Sequence, residues 1–154
     1  MWVPKKFMES IRRSIEVHAP VEEVYGRWTK VEDFPLFMKS LREVHRVDAR
    51  RFYWRAERDG VPYEAVEEIS LTIPNHRIAW RNVDGEENSG VVSFDSINPE
   101  TTRVTLDLAY EPDSGWNEPN ALADRIECTL NAFRDLAEPD GVMEELVTHN
   151  WRGF

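Results

Sequence analysis

Glu67 is a carboxylate in an apolar setting. Ala65, Glu67, Ile69, Leu71 and Ile73 recur at strand spacing, with Glu68, Ser70 and Thr72 between them. If that phase holds, Glu67 faces inward, where a carboxylate must pair with a cation or rise in pKa. Its chemistry there is to hydrogen-bond a ligand or to act as a general acid. The alternative is a one-residue slip that sends Glu67 to water and Glu68 inward. His45, Tyr63 and Tyr110 are further groups able to exchange a proton. None of them forms a recognisable pair with Glu67 by spacing. The four histidines, His18, His45, His76 and His149, are scattered, and the chain has neither a His-Glu-x-x-His motif nor a cysteine pair. A zinc site is therefore not expected, and no cofactor is implied. There is no Gly-x-Ser-x-Gly elbow and no phosphate loop. Cys128 lies inside an amphipathic stretch and reads as a small packing residue rather than a nucleophile.

The elements that must position these groups follow from periodicity. Residues 7–17 read as a strand, with one slip in the alternation near Arg12. Pro20, Glu22 and Glu23 suit the start of a short helix carrying Val21, Val24, Tyr25 and Trp28 on one face. Asp33 can cap a second short helix. The period then changes to two. Residues 41–48 open a meander, with a bulge expected near Val44. Phe52, Trp54 and Ala56 lead to an Asp59-Gly60 turn. The Ala65 set ends at Pro74-Asn75. Ile78 and Trp80 lead to an Asp84-Gly85 turn. Val92 and Phe94 close at Asn98-Pro99. Val104, Leu106, Leu108 and Tyr110 form the last strand. After a loop at 112–119, a long helix reaches Leu136, with Leu122, Ile126, Leu130 and Phe133 on one face. The only long amphipathic element must cover the apolar face of a curved antiparallel sheet.

Size and charge narrow the partners. A chain of 154 residues fits one domain, here 1–154 with a core of about 7–137 and a tail at 138–154. With 29 acidic and 19 basic residues the net charge is −10, which argues against nucleic acid and anionic membrane surfaces. One cysteine excludes an intramolecular disulfide and fits a cytoplasmic protein. No apolar stretch follows Lys5-Lys6, so the N-terminus does not read as a secretory signal. The apolar run 34–38 is far too short to insert stably in a membrane. The outer sheet face is mixed in charge (Arg55, Glu57, Arg77, Arg81, Arg103, Asp107), so a monomer or weak homodimer is expected. Six tryptophans suggest that something bulky and flat is covered.

Several motifs carry a family resemblance in their order. They are Ala19-Pro20-Val21-Glu22-Glu23-Val24-Tyr25, then Phe34-Pro35-Leu36-Phe37-Met38 followed by Glu43-Val44, then Trp54-Arg55-Ala56-Glu57. Arg77-Ile78-Ala79-Trp80-Arg81, Gly90-Val91-Val92-Ser93-Phe94 and Thr102-Arg103-Val104-Thr105-Leu106 follow, with Trp151-Arg152-Gly153 in the tail. The sequence resembles the START-like, or polyketide cyclase/dehydrase, superfamily. The resemblance implies an α+β helix-grip fold: about seven antiparallel strands wrapped on a long C-terminal helix, with two short helices between strands 1 and 2. It also implies an internal cavity for a hydrophobic small molecule, such as a lipid, quinone, isoprenoid or polyketide-like chain. Candidate lining residues are Phe34, Phe37, Met38, Phe52, Trp54, Glu67, Ile69, Trp80, Phe94, Leu106, Leu108, Ile126, Leu130 and Phe133. The family pattern has tryptophan where Ala65 stands and a small residue where Glu67 stands, so this cavity floor is expected to be roomier and to carry a carboxylate. Binding or carriage is the first functional reading, and cyclase/dehydratase chemistry in the same cavity is the alternative.

Overall fold

A computed structural model describes residues 9–85, 88–110 and 119–138, the side chains of the last segment from 122 onward. The order is β1 (Glu9–Val17), α1 (Val21–Trp28), a 3-10 helix (Val31–Leu36), β2 (Leu41–Arg46), β3 (Arg51–Arg58), β4 (Val61–Ile73), β5 (Arg77–Gly85), β6 (Asn88–Asn98), β7 (Thr101–Tyr110) and α2 (Pro119–Ala137). The strands form one antiparallel sheet in the order β1-β7-β6-β5-β4-β3-β2. Asp59 and Gly60 take positive φ of 54° and 79°, as a tight two-residue hairpin requires. The fold is the helix-grip arrangement: a half-barrel sheet curled around one long helix.

Three local departures from simple alternation matter. In β1, Arg13 sits on the inward face and meets Glu127 of α2 at 3.3 Å, so the slip near Arg12 is an edge ion pair rather than a break. In β2, the register shifts between Leu41 and Glu43, just before the bulge site expected at Val44. In β4, the register shifts again between Ile69 and Leu71. That extra residue, Ser70, turns Leu71 and Ile73 outward, where both are exposed. The in-phase set therefore ends at Ile69. Asp84 and Gly85 stay in β5 opposite Val66 and Ala65, so they do not form the turn expected there. The 3-10 helix starts at Val31, two residues before Asp33, and Asp33 makes no cap.

The closed end of the half-barrel is a cluster of rings. Trp28 stacks at an angle with Phe133 (4.8 Å between centroids), Phe37 (5.4 Å) and Phe94 (6.4 Å). Phe37 also meets Phe133 at 5.1 Å. Each tilted pair adds roughly 0.5–1.5 kcal/mol beyond the apolar area that it buries. Thr102 donates its hydroxyl to the Ala19 carbonyl at 2.8 Å, which pins the start of α1 to β7. On the outer face, directly opposed residues carry opposite charge: Arg12–Asp107 (2.6 Å), Glu16–Arg103 (3.2 Å) and Glu68–Arg81 (2.8 Å). The Arg81 guanidinium holds the Glu68 carboxyl below its ordinary pKa.

Candidate functional site

The strand phase places Glu67 inside and Glu68 outside. Glu67 is 1% exposed, opposite Phe52 on β3 and Asn82 on β5. Its Oε2 accepts hydrogen bonds from the Trp54 indole N–H (3.1 Å) and from the Asn88 amide (3.2 Å). The slip alternative is excluded, because Glu68 faces solvent and binds Arg81.

Glu67 lies in the wall of a cavity of about 170 Å³ between α2 and the sheet. That size is comparable to the ~150 Å³ engineered cavity that takes up benzene. The wall includes nine expected residues: Phe34, Met38, Phe52, Trp54, Glu67, Trp80, Leu106, Leu108 and Ile126. Trp80 reaches the wall because its cross-strand neighbour is Gly90. Its indole lies directly over the glycine, where any Cβ would stand 2.3 Å from Trp80 Cζ2.

Five expected residues lie elsewhere. Phe37, Phe94, Leu130 and Phe133 are buried in the closed end, where α1, the 3-10 helix, β6 and the second half of α2 converge on Trp28. Only the first half of α2 faces the cavity. Ile69 lines a separate recess on the far side of Phe34 and Phe52. Within the run 34–38, Phe34 and Met38 face the cavity, Phe37 is core and Leu36 is 65% exposed.

The other proton-transfer candidates leave the site. His45 points outward and lies 3.7 Å from Glu43. Tyr110 is buried but donates its hydroxyl to Glu9 at 3.1 Å, and burial with that carboxylate raises its pKa. Tyr63 serves as a platform: the buried Arg58 guanidinium sits 4.6 Å over its ring and 5.8 Å from Trp54. A desolvated contact of this kind is worth about 2 kcal/mol.

Arg58 and Asn88 are wall residues that the sequence reading did not single out. Arg58 does share the phase of Phe52, Trp54 and Ala56, so its register was visible, but its charge argued for solvent. Asn88 begins β6. Ser40, Leu41, Leu122, Arg125 and Thr129 complete much of the rest of the wall. A charged recess of about 320 Å³, lined by Lys39, Asp59, Asp124 and Cys128 among others, adjoins the cavity. It shares Ser40, Arg58, Arg125 and Thr129 with the cavity wall. Among the described residues, no helix is long and apolar enough to cross a membrane.

A half-barrel that grips a helix over an apolar chamber defines the START-like class. The chain belongs to the family described as polyketide cyclase / dehydrase and lipid transport, whose profile matches residues 17–132. It is 37% identical over 108 residues to an uncharacterised 17.2 kDa protein of Streptomyces lincolnensis, covering 70% of this chain and 72% of that one. Its fold superposes with a START superfamily protein from Mycobacterium smegmatis (TM-score 0.73, 13% identity, covering 83% of this chain and 96% of that one). It also superposes with the Zhui aromatase/cyclase from Streptomyces sp. R1128 (TM-score 0.67, 15% identity, covering 87% and 96%). Family membership supports a role in hydrophobic ligand binding or cyclisation.

Proposed function

We propose that the chain binds and carries a small, flat, apolar molecule with a hydrogen-bond donor at one end. The observation that supports this most is an apolar wall interrupted by a carboxylate that two N–H groups already fix in place. Removing an aromatic ring from water stabilises it by about 1.5–3 kcal/mol, which gives affinity without selectivity. A fixed acceptor adds selectivity, because a hydroxyl or N–H can hydrogen-bond to it and a wholly apolar ligand cannot. The test is native mass spectrometry of freshly purified protein, with organic extraction of what travels with it, and titration with p-cresol and toluene. The expected result is a retained apolar compound and tighter binding of p-cresol than of toluene. An empty protein with affinity for neither would overturn the reading.

A second reading is cyclisation or dehydration of a polyketide-like chain. Arg58 and Glu67 on one wall favour it. A carboxylate can take a proton from a methylene between two carbonyls while a guanidinium holds the developing enolate charge. The similarity in fold to an aromatase/cyclase adds support. The volume weighs against it, since about 170 Å³ holds one ring rather than a long chain. Turnover of a poly-β-ketone thioester, lost in Glu67→Gln, would reverse the ranking.

A further inference from the structure

The Ser70 bulge that turns Leu71 and Ile73 outward also leaves a gap beneath the β2–β3 hairpin. That gap is a second cavity of about 430 Å³. Trp28, Phe34 and Phe52 line both cavities, so the two chambers stand back to back on one aromatic partition. Val31, Ile69 and Ile78 extend the apolar floor of the second one, and Ser70 and Thr72 add hydroxyls.

Its charged lining is entirely cationic: Arg46 and Arg50. In a chain of net charge −10, that is a local reversal of the overall balance. Both guanidiniums are anchored by backbone. Arg46 Nη2 donates to the Thr29 carbonyl at 3.2 Å, and Arg50 donates through Nε and Nη2 to the Ile69 carbonyl at 3.4 and 3.3 Å. Three carboxylates stand near the two guanidiniums, none of them in the cavity lining. Asp48 Oδ1 accepts the backbone N–H of Arg50 and of Arg51, both at 2.9 Å. Glu68 is bound to Arg81, and Glu32 makes a long, solvent-exposed ion pair with Arg46 Nε at 4.0 Å, which leaves Arg46 to be shared with a ligand. Two anchored guanidinium forks over an apolar floor match a carboxylate joined to an apolar tail.

We propose that this second cavity binds a carboxylate-bearing amphiphile, with the carboxylate between Arg46 and Arg50 and the tail on Ile69 and Ile78. The site is separate from the Glu67 cavity and does not depend on its occupant. Decanoate and uncharged decanol are the probes, titrated by calorimetry and by backbone amide NMR shifts. The expected result is that decanoate shifts the amides of 49–50 and 70–72 and binds about tenfold more tightly than decanol. Arg46→Gln with Arg50→Gln removes that difference and leaves decanol unchanged, and added salt weakens decanoate alone. Equal affinity for the two probes in the unmodified protein, shifts confined to the Glu67 cavity, or no decanoate binding would each overturn the proposal. The comparison between probes needs no variant, so it stands even if the double variant folds poorly. A p-cresol titration on the same sample reports the first cavity independently.

Discussion

Gly90→Ala tests how the chamber is kept open. The added Cβ would lie 2.3 Å from Trp80 Cζ2 and 2.8 Å from Cε2 and Cη2, whereas ordinary contact begins at 3.4 Å. The indole must therefore retreat by about 1 Å or more. Backbone blocks the sheet side, so the ring moves into the chamber whose wall it forms. Overpacking a filled core costs about 1–3 kcal/mol. Here empty space accepts the ring, so the low end applies. A loss of about 1 kcal/mol corresponds to roughly 2–4 °C in Tm for a domain of this size. The larger effect falls on binding, because a displaced indole consumes much of a chamber of about 170 Å³. Scanning calorimetry and p-cresol titration on the same variant should show a small stability loss with at least a tenfold loss of affinity. The reasoning is refuted by the opposite pattern, a loss above about 3 kcal/mol with binding intact, which would make Trp80 a fixed core residue.

Other predictions follow from the same geometry. Phe37→Ala should cost about 3–5 kcal/mol in chemical denaturation, as a fully packed ring does, while Met38→Ala should cost less and change ligand exchange instead. Glu67→Gln keeps an oxygen acceptor for Trp54 and Asn88, so Tm should hold while the preference for p-cresol over toluene shrinks. Glu67→Leu leaves both donors without that acceptor and should cost about 1–3 kcal/mol for each. Because the folded pKa of Glu68 lies below its unfolded value, its pairing with Arg81 stabilises above the unfolded pKa and is lost as pH falls through the folded one. The Tm difference between the unmodified protein and Arg81→Gln should therefore be present at pH 7 and vanish in acid.

Much of the fold could be read from the chain because its signals are local. The Asp59-Gly60 hairpin, the period-two strands and the single long amphipathic helix each declare themselves within a few residues. The cavity wall was legible only in part. Phase separates inside from outside, but it does not separate chamber from packed end. Leu130 and Phe133 share the face of Ile126, yet they meet the Trp28 cluster because the chamber occupies only one end of the sheet. The Ser70 bulge broke the count at Leu71, since an extra residue in a strand leaves no mark in composition. Arg58 was masked by its own charge, whose burial depends on Tyr63 and Trp54 supplying aromatic faces.

The pairing of β1 with β7 also constrains how the molecule is made. Every other strand pairs with its neighbour in sequence, so β2 to β7 can form hairpin by hairpin as the chain emerges. β1 cannot join them in that way, because its contacts span up to 101 positions, from Glu9 to Tyr110. Closing so long a loop is slow and brings no contact energy until the last strand exists. During synthesis the first strand and α1 must therefore wait for nearly the whole domain. Until then, the Trp28 rings lack Phe94 and Phe133, and the inner face of the sheet stays uncovered. That interval is when a nascent chain most needs protection from aggregation.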